Sequence, residues 1–122
     1  MMRHTILIVE DEALIAMDLE TLLKEAGYDV AGPANTTTAA MELISGVAIA
    51  AAILDANLHG ESSSTIARAL SAANIPYVLV TGYDSGNLPP ALQNAACFQK
   101  PYDSKLLLLS LKLMATPVTL KK

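Results

Sequence analysis

The chain switches repeatedly between two hydrophobic periods, and that alternation limits its fold more than any other feature. Ile6-Leu7-Ile8-Val9 is a continuous apolar run rich in β-branched residues, the pattern of a strand buried on both faces. Residues 13–26 follow, where Ile15, Leu19, Leu22, Leu23 and Ala26 recur at a helical period. Gly27 stands where a helix is ended by a left-handed residue. The change of period then repeats. A short strand is predicted over 28–31, and a helix capped by Asn35 or Thr36 runs to about Ser45. Residues 50–54 form a third apolar run ending at Asp55, and Ser62-Ser63-Ser64 opens a helix to about Asn74. Strands over 77–80 and 97–99 come next, with a last helix capped by Asp103 or Ser104 and running through Leu113. Between those two strands, Gly82, Gly86, Pro89 and Pro90 leave room for one or two helical turns.

Buried strands joined by helices imply a doubly wound α/β fold with helices on both faces of a parallel sheet. For five strands the expected topology is flavodoxin-like, order 2-1-3-4-5, with a short or irregular fourth helix and one domain over residues 1–122. Composition narrows the function. With eight Lys and Arg and a formal net charge of −4, no basic stripe exists to neutralise nucleic-acid phosphates. Cys97 is the single cysteine, so an internal disulfide and a multi-cysteine zinc site are both excluded. The N-terminal apolar run is too short for a signal peptide. The Leu-rich stretch 106–114, broken by Ser110 and Lys112, is far short of the ~20 residues of a membrane span. These features predict a cytoplasmic protein without membrane or nucleic-acid partners.

In open α/β sheets, ligands bind outside the carboxyl ends of the strands. Here those ends carry Glu10-Asp11-Glu12, Asp55 with Asn57 two residues on, Thr81, and Lys100-Pro101. Two carboxylates 4 Å apart repel by about 4 kcal/mol at an effective dielectric of 20, so Glu10, Asp11 and Asp55 call for a proton or a cation. Hard oxygen ligands around open water positions suit Mg²⁺. Glu12 reads as a solvated helix-start acid, favourable against the helix dipole. Taken alone, Asp55 is a turn residue closing a strand, Lys100 a surface lysine and Thr81 a β-former. Together, each at its own strand end, they describe a carboxylate nucleophile for phosphorus with a metal and a cation to hold the transferring oxygens.

With those residues placed, the whole chain resembles the receiver domains of two-component response regulators. The matching elements are Ile6 to Glu12, Ile53-Leu54-Asp55-Ala56-Asn57-Leu58, Val80-Thr81-Gly82 and Lys100-Pro101. The resemblance implies that Asp55 is the phospho-acceptor and that Glu10 and Asp11 are the Mg²⁺ acids, with the Asn57 backbone carbonyl as a further ligand. It makes Thr81 the switch hydroxyl and Lys100 the phosphate-pairing lysine. It also implies a sensor histidine kinase or phosphotransfer protein as donor and a downstream protein as target. The chain would act as a single-domain switch or phosphorelay element rather than as an enzyme on a separate substrate. Residues 76–83 (Pro-Tyr-Val-Leu-Val-Thr-Gly-Tyr) are similar to the P-F-x-F-A-T-G-(G/Y) signature of the FAT GUY receivers, which are often single-domain regulators of general stress signalling in alphaproteobacteria. Tyr77, Leu79 and Val80 depart from that signature. Cys97 stands three residues before the lysine, where many receivers carry a switch aromatic.

Three other classes fit parts of the pattern. A haloacid-dehalogenase-like phosphatase also uses an aspartate nucleophile and Mg²⁺, but with its D-x-D on the first strand; here Asp55-Ala56-Asn57 closes the third. A flavodoxin-like flavin binder cradles phosphate at its first loop, where Glu10-Asp11-Glu12 repels it. A pseudo-receiver that never accepts phosphate does not need the full set of acids, Thr81 and Lys100. Outside the site, Leu14 and Met17 lie off the buried stripe of the first helix, as a kinase-docking surface would. The last helix spreads Leu106, Leu107, Leu109, Leu111, Leu113 and Met114 over half its circumference, with Leu108 on the far side, as a homodimer contact would. Residues 82–96, few of them able to bury at helical spacing, are expected to form the mobile part of the switch.

Overall fold

The computed structural model describes residues 4–82, 89–92 and 95–115. Each apolar run becomes a strand: β1 (Thr5–Val9), β2 (Asp29–Ala34), β3 (Ala51–Asp55), β6 (Tyr77–Thr81) and β7 (Ala96–Gln99). They pair in parallel in the order β2-β1-β3-β6-β7, the expected 2-1-3-4-5 topology. Between them run α1 (Ala13–Glu25), α2 (Thr37–Gly46), α3 (Ser64–Ala72) and α4 (Ser104–Ala115). A two-stranded antiparallel hairpin, β4 (Asn57–Leu58) with β5 (Glu61–Ser62), follows β3 directly; the sequence reading did not foresee it.

Successive residues of a strand face opposite sides, and β1 divides its side chains accordingly. Leu7 and Val9 pack with Ala40, Ile66, Ala67 and Leu70 of α2 and α3. Ile6 and Ile8 pack with Leu19, Leu23, Leu107 and Leu111 of α1 and α4. The helix stripes differ from expectation in detail. Ala16 is buried on α1 and Ala26 is exposed. Leu108 of α4 packs against the core rather than pointing away from it.

Local signals fix the helix ends. Thr36 Oγ1 accepts the Ala39 N–H at 3.1 Å, and Asp103 Oδ1 accepts from Lys105 N at 2.9 Å. Gly27 has φ +95°, as the end of α1 requires. Ser63, by contrast, makes no side-chain cap. Its hydroxyl donates to the Asp55 carbonyl and ties the start of α3 to the end of β3. Strand β2 runs past Ala31 because Gly32 permits a register shift against β1. At φ +91°, a Cβ on Gly32 would lie 2.8 Å from the Ile8 carbonyl oxygen, so no side chain fits there. Between β6 and β7, where a short helix is expected, the described residues form a 3-10 turn, Pro90–Leu92. Leu92 is fully buried, contrary to a segment with little to bury. Residues 83–88, including Tyr83, and 93–94 lie outside the described residues.

Candidate phosphoryl-acceptor site

Parallel pairing brings the carboxyl ends of β1, β3, β6 and β7 side by side, and Glu10, Asp55 and Lys100 meet there. Glu10 follows β1 with a fully buried side chain, Asp55 ends β3 with a side chain only 6% exposed, and Thr81 ends β6 and is buried. Lys100 follows β7, and its backbone N–H donates to the Thr81 carbonyl at 2.7 Å. That bond sets the lysine beside the end of β6, and its ammonium crosses β6 to reach β3 and β1. The Lys100–Pro101 peptide is cis.

The Lys100 ammonium is the hub of the site. Nζ lies 3.2 Å from Asp55 Oδ2, 3.2 Å from Glu10 Oε1 and 3.1 Å from Glu12 Oε1. Burial works against its charge, but the Glu12, Asp55 and Glu10 carboxylates outweigh burial and hold the ammonium well above the ordinary lysine range. Glu12 is therefore more than the solvated acid its position suggests, since it contacts the lysine of the crevice. Glu10 is shifted the other way. Burial and the neighbouring Asp55 charge raise it to about 7 despite the Glu12 backbone N–H and the Lys100 ammonium. Burial also pushes Asp11 upward, but the backbone N–H groups of His59, at 2.8 Å, and of Asp11 itself, with its other neighbours, together hold this carboxylate below its usual range.

The hairpin is what supplies that donor. His59 and Gly60 carry φ of 50° and 83° between paired Leu58 and Glu61, the two-residue loop with two left-handed positions that suits a tight antiparallel turn. Closing the turn there lays the His59 N–H on Asp11, and His59 Nδ1 stands 3.6 Å from the same oxygen. Asn57 N donates to Asp55 Oδ1 at 3.1 Å, so one oxygen of Asp55 is held by backbone while the other faces Lys100. The sequence signal for this piece was His-Gly two residues after Asn57, where histidine tolerates a left-handed backbone better than most residues.

Glu10, Asp11 and Asp55 each place a carboxylate oxygen within 4.8 Å of the others. Glu10 Oε1 is buried and accepts no hydrogen bond among the described residues, the nearby ammonium lying outside hydrogen-bond geometry. An acceptor left this way is costly, and a hard divalent cation held by oxygen ligands removes the cost. The donor set thus fits Mg²⁺. Asp11, Glu12, Asp55, Asn57, Gly82 and Lys100 line an open cleft of about 370 Å³ above it, room for a small tetrahedral anion.

These features define a flavodoxin-like α/β domain whose switch-point cleft combines a cation-ready acid cluster with a lysine. The chain belongs to the response regulator receiver domain family, which it matches over residues 6–112. It is 38% identical over 106 residues to the phyllosphere-induced regulator PhyR of Methylorubrum extorquens, covering 80% of this chain and 40% of that protein. It is 32% identical over 101 residues to the transcriptional regulatory protein PdtaR of Mycobacterium tuberculosis, covering 80% and 49%. The chain therefore spans less than half the length of these curated relatives. Among solved structures, SdrG of Sphingomonas melonis is similar at TM-score 0.78 and 37% identity over 91% of this chain and 97% of that one. A BeF3-activated conformation of SdrG is similar at TM-score 0.74 and 38% identity over 89% and 95%.

Proposed function

We propose that the protein is a Mg²⁺-dependent phospho-acceptor that takes a phosphoryl group onto Asp55 from a phosphohistidine and acts as a signalling switch through protein contacts. The observation that carries this reading is the Asp55 carboxylate itself, one oxygen fixed by Asn57 N–H and the other 3.2 Å from Lys100 Nζ, inside a three-acid cluster. In the transfer, an Asp55 carboxylate oxygen forms a bond to phosphorus as the phosphorus–nitrogen bond to the donor imidazole breaks, and the imidazole takes a proton from solvent. Glu10, Asp11, Asp55 and the Asn57 carbonyl would hold Mg²⁺, whose charge would offset that of the transferring oxygens. Lys100 pairs with the phosphoryl group in this reading, and Thr81, at the neighbouring strand end, donates its hydroxyl to it. Because the reactive group stays on the protein, the domain works as a substrate of its donor and not as an enzyme turning over a separate one.

The partner surface flanks the cleft. Leu14 and Met17 of α1 are 78% and 61% exposed. A groove of about 520 Å³ lined by Glu12, Ile15, Asp18, Lys100, Tyr102 and Ser104 runs from the same helix to the lysine of the site. Apolar residues beside a reactive centre suit a kinase or phosphotransfer protein. Leu106, Leu109 and Leu113, exposed on α4, offer a second surface for a downstream protein or for a second copy. The similarity of residues 76–83 to the FAT GUY signature supports placement among those receivers. Incubation with Mg²⁺ and acetyl phosphate, read by intact mass, tests the acceptor. One phosphoryl group is expected on wild type and none on Asp55→Asn, and labelling that persists in the variant would sink the assignment.

A further inference from the structure

Glu12 occupies the N-cap position of α1, where a side chain ordinarily accepts a hydrogen bond from the first turn of its own helix. It makes no such bond. Its carboxylate turns into the cleft and accepts from Lys100 Nζ at 3.1 Å, across 88 residues of sequence. The acid is 60% exposed while the lysine is 14% exposed, so this is the one solvent-facing arm of an otherwise enclosed network.

An ammonium has three N–H donors. Lys100 directs them at Asp55 Oδ2, Glu10 Oε2 and Glu12 Oε1, at 3.2, 3.4 and 3.1 Å. A phosphoryl group arriving on Asp55 can draw on this lysine only if an existing partner lets go. Glu10 is fully buried, so releasing the ammonium leaves its carboxylate away from water with the Glu12 backbone N–H as its remaining donor among the described residues, which is costly. Glu12 can exchange the lysine for water at little cost, because exposed ion pairs are weak. Its charge at the cleft edge also repels an incoming anion.

We propose that Glu12 is a positioning residue acting through Lys100: it holds one donor of the ammonium in the resting protein and yields it to the phosphoryl group, so that it sets how readily the activated state forms. This rests on the phospho-acceptor reading and adds to it a competitor for the lysine. The effect has a definite sign. Removing the competitor frees a donor and lowers the negative charge of the cleft, and both favour the phosphorylated form.

The test compares wild type, Glu12→Gln, Glu20→Gln and each of these in a Lys100→Met background. Glu20 is the control, an acid two turns along the same helix that pairs with Lys24 and not with the cleft. Two readouts are taken: affinity for beryllofluoride with Mg²⁺ present, and the Lys100 ammonium resonance in the Mg²⁺-free protein, assigned by its loss in Lys100→Met. Glu12→Gln should bind beryllofluoride about two- to fivefold more tightly, the range of an exposed ion pair, and should shift and broaden the ammonium resonance. Glu20→Gln should do neither, and the gain should vanish in Lys100→Met. An unchanged ammonium resonance in Glu12→Gln overturns the contact. An unchanged affinity, an equal gain from Glu20→Gln, or a full gain without Lys100 overturns its role. A wild type that takes no beryllofluoride while its ammonium resonance still responds to Glu12→Gln overturns the phospho-acceptor reading instead, and leaves Glu12 as an ion-pair partner only.

Discussion

The two helical layers bury similar apolar rows against the sheet but leave different residues in water. In the layer of α2 and α3, Met41 is the large apolar residue that reaches solvent within a described helix, at 36%. In the layer of α1 and α4, Leu14, Met17, Leu106, Leu109 and Leu113 are all more than half exposed. The second layer also brackets the cleft, with Glu12 at the start of α1 and Lys100 shortly before α4. One face of the sheet is finished by packing alone. The other carries apolar surface beyond what packing uses, on the two helices that bracket the cleft. Exposed apolar groups scattered over a surface need no explanation, whereas a concentration beside a site does.

The largest effects should fail to distinguish the layers. Leu70→Ala in α3 and Leu107→Ala in α4 each empty a fully buried position, and each should cost about 2–5 kcal/mol in urea unfolding. A much smaller loss in α4 would show that its layer is loosely packed, and its exposed leucines would then mean less.

Next comes the charged end that only the second layer borders. The folded protein keeps the Glu10 proton up to about pH 7, whereas the ordinary value is 4.5. Metal-free stability should therefore fall as pH rises through that window, since the native state binds more protons than the unfolded one. Glu10→Gln should remove the fall, with no gain near pH 4 and a gain of roughly 2–3 kcal/mol near pH 8. Mg²⁺ should recover part of the same stability in wild type and little in the variant. A flat pH profile in metal-free wild type would show that Glu10 is ionised throughout.

Leu14→Asp should reduce phosphoryl transfer from the cognate kinase about tenfold, the size of a modest interface hot spot, while labelling by acetyl phosphate stays normal. Met41→Asp, the matching change in the other layer, should alter neither. Equal loss of both activities in Leu14→Asp would mean damage to the fold. The smallest effect is expected from Leu113→Ser, within about 0.5 kcal/mol of wild-type stability. If α4 is a contact between copies, sedimentation of concentrated wild type shows a dimer that this variant weakens, and a strict monomer assigns the α4 leucines to another partner or to none.

The sequence carried the sheet order and the meeting of Glu10, Asp55 and Lys100, because buried parallel strands have a strong apolar signal and their ends are marked by the first polar residue. It did not carry the hairpin at 57–62. Strands two residues long have no period, and only the His59-Gly60 turn announces them. The phase of α4 was misread at Leu108 for a related reason: when nearly every position is apolar, periodicity cannot choose the inward face. The contact between Glu12 and Lys100 was invisible for a third reason. Local sequence describes Glu12 as a helix-start acid, and nothing near it in the chain foretells a partner 88 residues away.

That separation has a consequence for the protein during its synthesis. Glu10 leaves the ribosome early, but the lysine that completes the cluster belongs to the last strand and lies 90 residues later. Until that strand has emerged and docked beside β6, a nascent chain has its acids and its acceptor but no cation among them. On the proposed phospho-acceptor reading, phosphoryl capture should therefore begin only once the sheet has closed, and a chain stalled before β7 should be silent to a phosphoryl donor.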